Sequence, residues 1–262
     1  MNNGLLKILL LAQHKADPKL ALHCKRVACY ALELAKVLDE SPEFNKKIFL
    51  SGLLHDIGFL NLDITFSEIP INKSHPGYNE TIQSHSAVGE ALIAKVITDP
   101  DVLSTIRHHH EKYNGEGYPD QLSGEDIPLA ARIMAVADLY DTLLVGEMFG
   151  EHRRIPKMVL QHLEHDARGS YLDPNLVDAF LNLLDKVPVL YLPSKDNELG
   201  LYQMTYLHVG ALTFGDLVNQ DDHVLVRQGI ELDQKMLDNI RFEYPGQKIL
   251  RDSTLIEDDL ML

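Results

Sequence analysis

The sequence predicts a mainly α-helical protein with a small α+β domain at its C-terminal end. Three observations support this. From residue 18 to about residue 185, apolar side chains recur at helical spacing. These segments open on start signals: Asp17-Pro18, Ser41-Pro42, Asp126-Ile127-Pro128 and Asp173-Pro174 put proline where a first helical turn accepts it. Strand-like alternation is confined to residues beyond 200. The 262 residues, 45% hydrophobic with a mean hydropathy of −0.12, can form a real core in one large domain or in a large and a small one. The boundaries read as a helical domain over 1–187, a linker over 188–200 and a small α+β domain over 201–262.

In order along the chain, Gly4 to about His14 reads as a short apolar helix. Pro18 to Leu38 follows, with Leu22, Val27, Ala31, Leu34, Ala35 and Leu38 at helical spacing and His23 near the buried side. A lone histidine there is more often a core or surface residue than a ligand. Pro42 to about Leu54 is the third helix, and it ends in His55-Asp56-Ile57-Gly58, where Gly58 serves as terminator. Asp56 then has two open readings, a cap for the next element or a carboxylate bridging two ions. Residues 59–80, with Pro70, Pro76, Gly77 and Asn79, read as a loop over the site.

Thr81 to Ile97 is amphipathic, with Ile82, Ala87, Val88, Leu92 and Val96 toward the core and His85 near the start. Asp101 to His110 is a short helix ending in a histidine run. The long apolar helix from about Leu129 to Leu144 carries Asp138 and Asp141 among Ile133, Met134, Val136, Ala137 and Leu139. A carboxylate in such surroundings is costly unless paired or bound to metal. After a polar loop over 146–156, one helix runs to about His165, and Asp173-Pro174 starts another through Phe180 to Leu184. His152, His162 and His165 are assigned no role. Beyond the linker, Tyr202–His208 and His223–Arg227 read as strands, Asn219-Gln220-Asp221-Asp222 as a turn and Ile230–Ile240 as a helix. The acidic tail Ile256–Leu262 reads as frayed.

Composition excludes some functions. A formal charge of −15 argues against a nucleic-acid polymer as partner, though not against a small anion at a metal centre. The stretch Leu5–Ala12 is interrupted by Lys7 and lacks a basic flank and a cleavage signal; no segment has the length of a membrane span. Cys24 and Cys29 read as reduced buried thiols on different helix faces, which suits the cytoplasm. Cys24 neighbours His23 and is given little weight as a ligand, because its position turns it away.

The densest chemistry lies in residues 107–119, Arg-His-His-His-Glu-Lys-Tyr-Asn-Gly-Glu-Gly-Tyr-Pro. Taken alone, this stretch suits an exposed polar turn as well as a metal site. Helices successively present His23, His55-Asp56, His85, His109-His110 and Asp138. Five neutral imidazoles and two carboxylates can serve two octahedral ions that share an aspartate, and an all-N/O set favours iron, manganese, zinc or a similar metal. Two such ions would activate a bridging water and clamp a phosphoryl oxygen.

Over residues 18 to 185 the chain resembles the HD-GYP branch of the HD-domain metal-dependent phosphohydrolases. The resemblance rests on His23 with Arg26-Val27, His55-Asp56-Ile57-Gly58, His85 with Gly89, and His109-His110-Glu111. It continues through Asn114-Gly115-Glu116-Gly117-Tyr118-Pro119, Arg132-Ile133, Ala137-Asp138-Leu139-Tyr140-Asp141, Gly169, Asp173-Pro174 and Phe180. It implies an HD-domain helical bundle acting as a cyclic di-GMP phosphodiesterase, with pGpG or GMP as product. It also implies two divalent ions, iron first and manganese or another transition metal as alternatives. His23, His55, Asp56 and Asp138 would hold one ion; Asp56 would bridge to a second on His85, His109 and His110. Asp56 and His55 are the catalytic pair by this pattern. The loop Gly117-Tyr118-Pro119 would shape the cleft and dock diguanylate-cyclase-type or other signalling proteins. Glu111 and Asp141 would lie behind the ligands, Glu111 bonded to a ligand histidine.

Departures from the pattern are Phe59 for the usual lysine after His-Asp-Ile-Gly, Lys19 where some members carry a third-metal glutamate, and Asn114 for aspartate. The segment from Lys73-Ser74-His75-Pro76-Gly77 to His85 is also shorter than usual. Loss of a cation at Phe59 supports an alternative function, a metal-containing but slow nucleotide sensor or docking protein. A third reading is an HD phosphohydrolase for another nucleotide or cyclic dinucleotide. Regulatory input is expected through partners. Residues 209–212 and 224–229 weakly resemble a small domain found beside HD-GYP modules, which suggests an interaction role.

Overall fold

The computed structural model describes residues 3–62, 82–145 and 156–186, then 192–193, 200–203, 217–218, 224–226, 233–243 and 248–251. Residues 63–80 of the loop expected over 59–80, Thr81, His152, the turn at 219–222, residues 209–212 and the acidic tail lie outside the described residues. The chain divides into two compact units, Met1–Leu183 and Leu184–Leu262.

Helices α1 (Asn3–Ala16), α2 (Pro18–Val37) and α3 (Pro42–Leu54) open the first unit, followed by a 3-10 turn over Ile57–Asn61. Then come α4 (Ser84–Ile93), α5 (Pro100–His108), α6 (Leu129–Val145), α7 (Pro156–Gln161), a wide π-type turn over His162–Ala167 and α8 (Pro174–Lys186). The starts follow from capping. Asp17 accepts the backbone N–H groups of Lys19 and Leu20, Ser41 that of Phe44, and Asp99 those of Asp101 and Val102. Each such cap stabilises its helix by about 0.5–2 kcal/mol.

Helix α2 is the central element, lying against α1, α3 and α6, while α5 touches α3, α4 and α6. Its face of Val27, Ala28, Ala31, Leu34 and Ala35 is fully buried. Tyr30 meets Tyr140 of α6 edge to face at 5.1 Å, and Tyr140 meets Phe180 of α8 the same way. This aromatic seam holds the helices that carry His23 and Asp138.

Two sequence expectations change here. Gly58 does not end a helix by a left-handed turn; it sits in the buried 3-10 turn, where a Cβ would overlap the carbonyl of His85. Its function is close approach, which brings α4 onto the end of α3. In and around α4 the buried stripe is Ile82, His85, Ser86, Gly89, Ile93 and Ile97, whereas Ala87, Val88, Leu92 and Val96 are only partly buried. The helix is rotated so that an imidazole and a glycine face inward, and a hydrophobic count alone selects the neighbouring face.

The second unit contains an antiparallel sheet in the order β1-β2-β5-β3-β4, built from β1 (Leu192–Pro193), β2 (Gly200–Gln203), β3 (Leu217–Val218), β4 (Val224–Val226) and β5 (Lys248–Arg251). Leu201 pairs with Leu250, and Leu217 with both Val226 and Arg251. Helix α9 spans Gln234–Glu243. β1 lies inside the segment with linker composition, and the central strand β5 carries no period long enough to identify it from sequence.

Candidate metal centre

Helix ends build the site. His23 projects from the second turn of α2, His55 and Asp56 follow the last turn of α3, and His85 lies in the first turn of α4. His109 and His110 follow the last turn of α5, while Asp138 and Asp141 come from α6. The structure therefore brings together all seven residues expected to be ligands. Ligand atoms of Asp56, His85, His109 and His110 lie within 4.8 Å of one another, as do those of His23, His55 and Asp138.

Asp56 stands between the two groups. Its Oδ2 is 3.6 Å from His23 Nε2 and 3.3 Å from His55 Nε2. Its Oδ1 is 3.2 Å from His85 Nε2 and 3.5 Å from His109 Nε2. Although Asp56 occupies the cap position of the 3-10 turn, its side chain makes no capping bond. On the far side, Asp138 Oδ1 is 3.1 Å from His23 Nε2 and its Oδ2 is 4.0 Å from His110 Nδ1.

The outer ring nitrogens fix the tautomers. His55 Nδ1 donates to Gly52 O at 2.8 Å, His109 Nδ1 to Ile106 O at 2.7 Å, and His85 Nδ1 to Ile82 O. Each acceptor lies three residues earlier, so one local geometry is used three times. His23 Nδ1 donates to Asp141 Oδ2 at 2.8 Å. With Nδ1–H committed, a neutral ring turns its Nε2 lone pair inward. The consequence is plain at His85 and His109, whose Nε2 atoms are 3.2 Å apart. Two lone pairs at that distance repel unless a cation lies between or beside them. His55 Nε2 and Asp56 Oδ1 are buried without a hydrogen-bond partner, and such atoms are costly unless an ion satisfies them. The residues present fit a divalent metal.

The electrostatics agree. Burial opposes a charged His23, but hydrogen bonds to Asp138 and Asp141 outweigh it and push its pKa up to about 10. Burial also opposes a charged His55, and the Asp56 carboxylate reverses this and raises it. Burial lowers His109; His110 falls well below the usual range through burial and the neighbouring His109 and His85. Burial would raise Asp56, yet the surrounding imidazoles, His55 first, hold it well below the usual carboxylate range. A centre with these shifts attracts positive charge and keeps lone pairs available on one side.

Residues 9–176 match the HD domain family. The chain belongs to that family. This HD domain is 31% identical over 184 residues to a probable cyclic di-GMP phosphodiesterase of Vibrio cholerae, covering 63% of this chain and 40% of the relative. It is 30% identical over 159 residues to a 3'3'-cGAMP-specific phosphodiesterase of the same organism, covering 61% and 36%. The chain thus spans about two fifths of the length of these curated relatives. Its fold is shared with an HDG"Y"P protein from Bdellovibrio bacteriovorus, at a TM-score of 0.53 and 21% identity over 63% of this chain and 52% of that one.

Around the centre of this HD domain, Asp141 is gripped by Arg26 through Nε at 2.7 Å and Nη2 at 2.9 Å while it holds His23. Arg26 thereby orients the imidazole through the carboxylate. Glu111 differs from expectation: it bonds no ligand histidine, and its carboxylate instead accepts the backbone N–H groups of Asp120 at 2.7 Å and Leu122 at 3.1 Å. It anchors the loop that follows Gly117-Tyr118-Pro119, where the Tyr118–Pro119 peptide is cis. Gly117 lies against the Glu111–Lys112 backbone with no room for a Cβ. Tyr118 places its ring 5.0 Å from that of His110, so the loop borders the imidazole-rich side.

Phe59, where the family's usual lysine is missing, is a packed ring. It is buried with Leu20, Cys24 and Ile82 and stacks on His85 at 4.3 Å, nearly parallel. Cys24 also departs from expectation. Its ligand atom lies within 4.8 Å of those of His55 and Asp56, because a short side chain one residue after His23 still reaches the floor of the centre. Helical angle alone discounts it; only the approach of α3 reveals it.

No helix among the described residues is long and apolar enough to cross a membrane.

Proposed function

We propose that this HD domain is of the HD-GYP type, binds two divalent ions bridged by Asp56, and hydrolyses cyclic di-GMP to pGpG, GMP or both. The observation that carries this is the placement of Asp56, whose two oxygens face two histidine groups. His23, His55, Asp56 and Asp138 would hold one ion, and Asp56, His85, His109 and His110 the other. Ions there would supply Lewis acidity toward a phosphoryl oxygen and a water acidic enough to act as nucleophile near neutral pH. The chain's own part is positional: the carbonyls of Gly52, Ile82 and Ile106 and the Asp141 carboxylate hold four rings in register. Asp56 and His55 are taken as catalytic in this scheme on the resemblance, with His55 Nε2 3.3 Å from the Asp56 carboxylate.

Iron suits the nitrogen and oxygen donors, with manganese as the alternative. The substrate class is supported by the relatives, some named for cyclic di-GMP and others for 3'3'-cGAMP. The relatives, named as phosphodiesterases, favour hydrolysis over a slow sensor, while Phe59 leaves the position of the usual lysine uncharged. Cys24 and Cys29, neither in a disulfide, favour the reducing cytoplasm. We take 1–187 as the catalytic domain, 188–200 as linker and 201–262 as an interaction domain. Docking of diguanylate-cyclase-type or other signalling proteins is placed at Gly117-Tyr118-Pro119 on the resemblance alone.

The test is turnover of cyclic di-GMP and of 3'3'-cGAMP by protein purified without oxygen and loaded with Fe(II) or Mn(II), with products resolved by chromatography. Hydrolysis of cyclic di-GMP, faster than that of the mixed dinucleotide, is expected. No hydrolysis of either, with metal bound, would leave a metal-holding sensor.

A further inference from the structure

We propose that Cys24 is a sulfur ligand on the His55–Asp56 side of the centre, an inference that rests on the metal-binding reading above. Three electron-pair donors converge there, from Cys24, His55 and Asp56, all within 4.8 Å of one another. His55 Nε2 is buried and lacks a hydrogen-bond partner. Its ring commits Nδ1–H to Gly52 O, so a metal that displaces a second ring proton meets the Nε2 lone pair.

The surroundings of the sulfur point the same way. Gln13, only 1% exposed, directs its side-chain N–H at Cys24 Sγ over 3.2 Å. That bond uses the sulfur as an acceptor and fixes where its side chain points. Leu20, Phe59 and Ile82 enclose it otherwise. On ligation the S–H bond breaks, its proton leaves to solvent, and the sulfur electron pair forms the bond to the metal; no oxidation state changes. The two ion positions then differ in kind. One has nitrogen, oxygen and sulfur donors, and the other nitrogen and oxygen alone. Sulfur disfavours manganese at the first position and favours zinc, cobalt or iron.

The test uses the full chain loaded with cobalt(II), followed by desalting, metal analysis and near-ultraviolet absorption. Wild type, Cys24→Ser and Cys29→Ser are compared, with circular dichroism to check the fold. A thiolate-to-cobalt charge-transfer band is expected in wild type and Cys29→Ser and is lost in Cys24→Ser, which still retains cobalt through the other donors. Cobalt bound to wild type without such a band would overturn the sulfur ligand and leave the metal centre standing. A band lost only in Cys29→Ser would also overturn it. Failure of wild type to retain any cobalt would overturn the metal centre itself.

Discussion

The two donor groups on either side of Asp56 look alike in sequence but differ in charge. His23 and His55 face carboxylates, and their pKa values rise, that of His23 to about 10. His109, buried, and His110, half-buried, are crowded by other imidazoles as well as carboxylates, and theirs fall. The first side holds a proton when no metal is present; the second holds bare lone pairs. The bridging carboxylate therefore joins a side where a metal must displace a proton to a side where it need not. Similar ligands can thus bind with different pH dependence.

The comparison can be broken most severely at His85. Phe59→Lys puts an ammonium where an aromatic ring stacks on that imidazole, and is expected to destabilise the protein by roughly 3 kcal/mol, as an unpaired buried charge does. Denaturant unfolding measures it; unchanged stability with higher turnover would mean that the lysine finds solvent and phosphate. Gly58→Ala pushes α4 away from the end of α3 and should cost about 1–3 kcal/mol by overpacking. The imidazole-rich side should lose metal first in that variant, as read by metal analysis after desalting.

Asp141→Asn attacks the carboxylate-rich side alone. It removes the charge that holds His23 and pairs with Arg26, and should weaken metal binding on that side by roughly 10–100-fold while sparing the other. Calorimetric titration with Mn(II) resolves the two; equal weakening of both would refute the asymmetry. The smallest effect is on stability against pH. The His23 pKa in the metal-free fold, about 10, exceeds its ordinary 6.5. Its pairing therefore contributes fully below pH 6.5 and is lost as pH rises through about 10. The Tm of metal-free protein should fall across that window, and a flat Tm would show that His23 is neutral throughout.

Much of this was legible in the sequence because most of the ligands sit at helix ends, which the apolar periods and, for α2, α3 and α6, the proline starts mark. His55 and His109 follow the last turns of their helices, so locating the helix locates the ligand. What escaped depends on contacts between elements. Gly58 reads as a terminator until α4 arrives, and Phe59 reads only as a lost cation until its packing with Leu20 and Ile82 is on view. Glu111 reads as a partner for histidine until the backbone of Asp120 and Leu122 folds back onto it. Cys24 looks averted by helical angle, and the end of α3 comes to meet it.

The central claim is that one carboxylate joins two metal positions, and metal content of Asp56→Ala against wild type tests it most directly. Wild-type protein loaded with Fe(II) or Mn(II) and desalted should retain two ions per chain. Asp56→Ala should lose both, together with hydrolysis, which should fall by about 10³-fold or more. Full retention of two ions in Asp56→Ala would contradict the bridge.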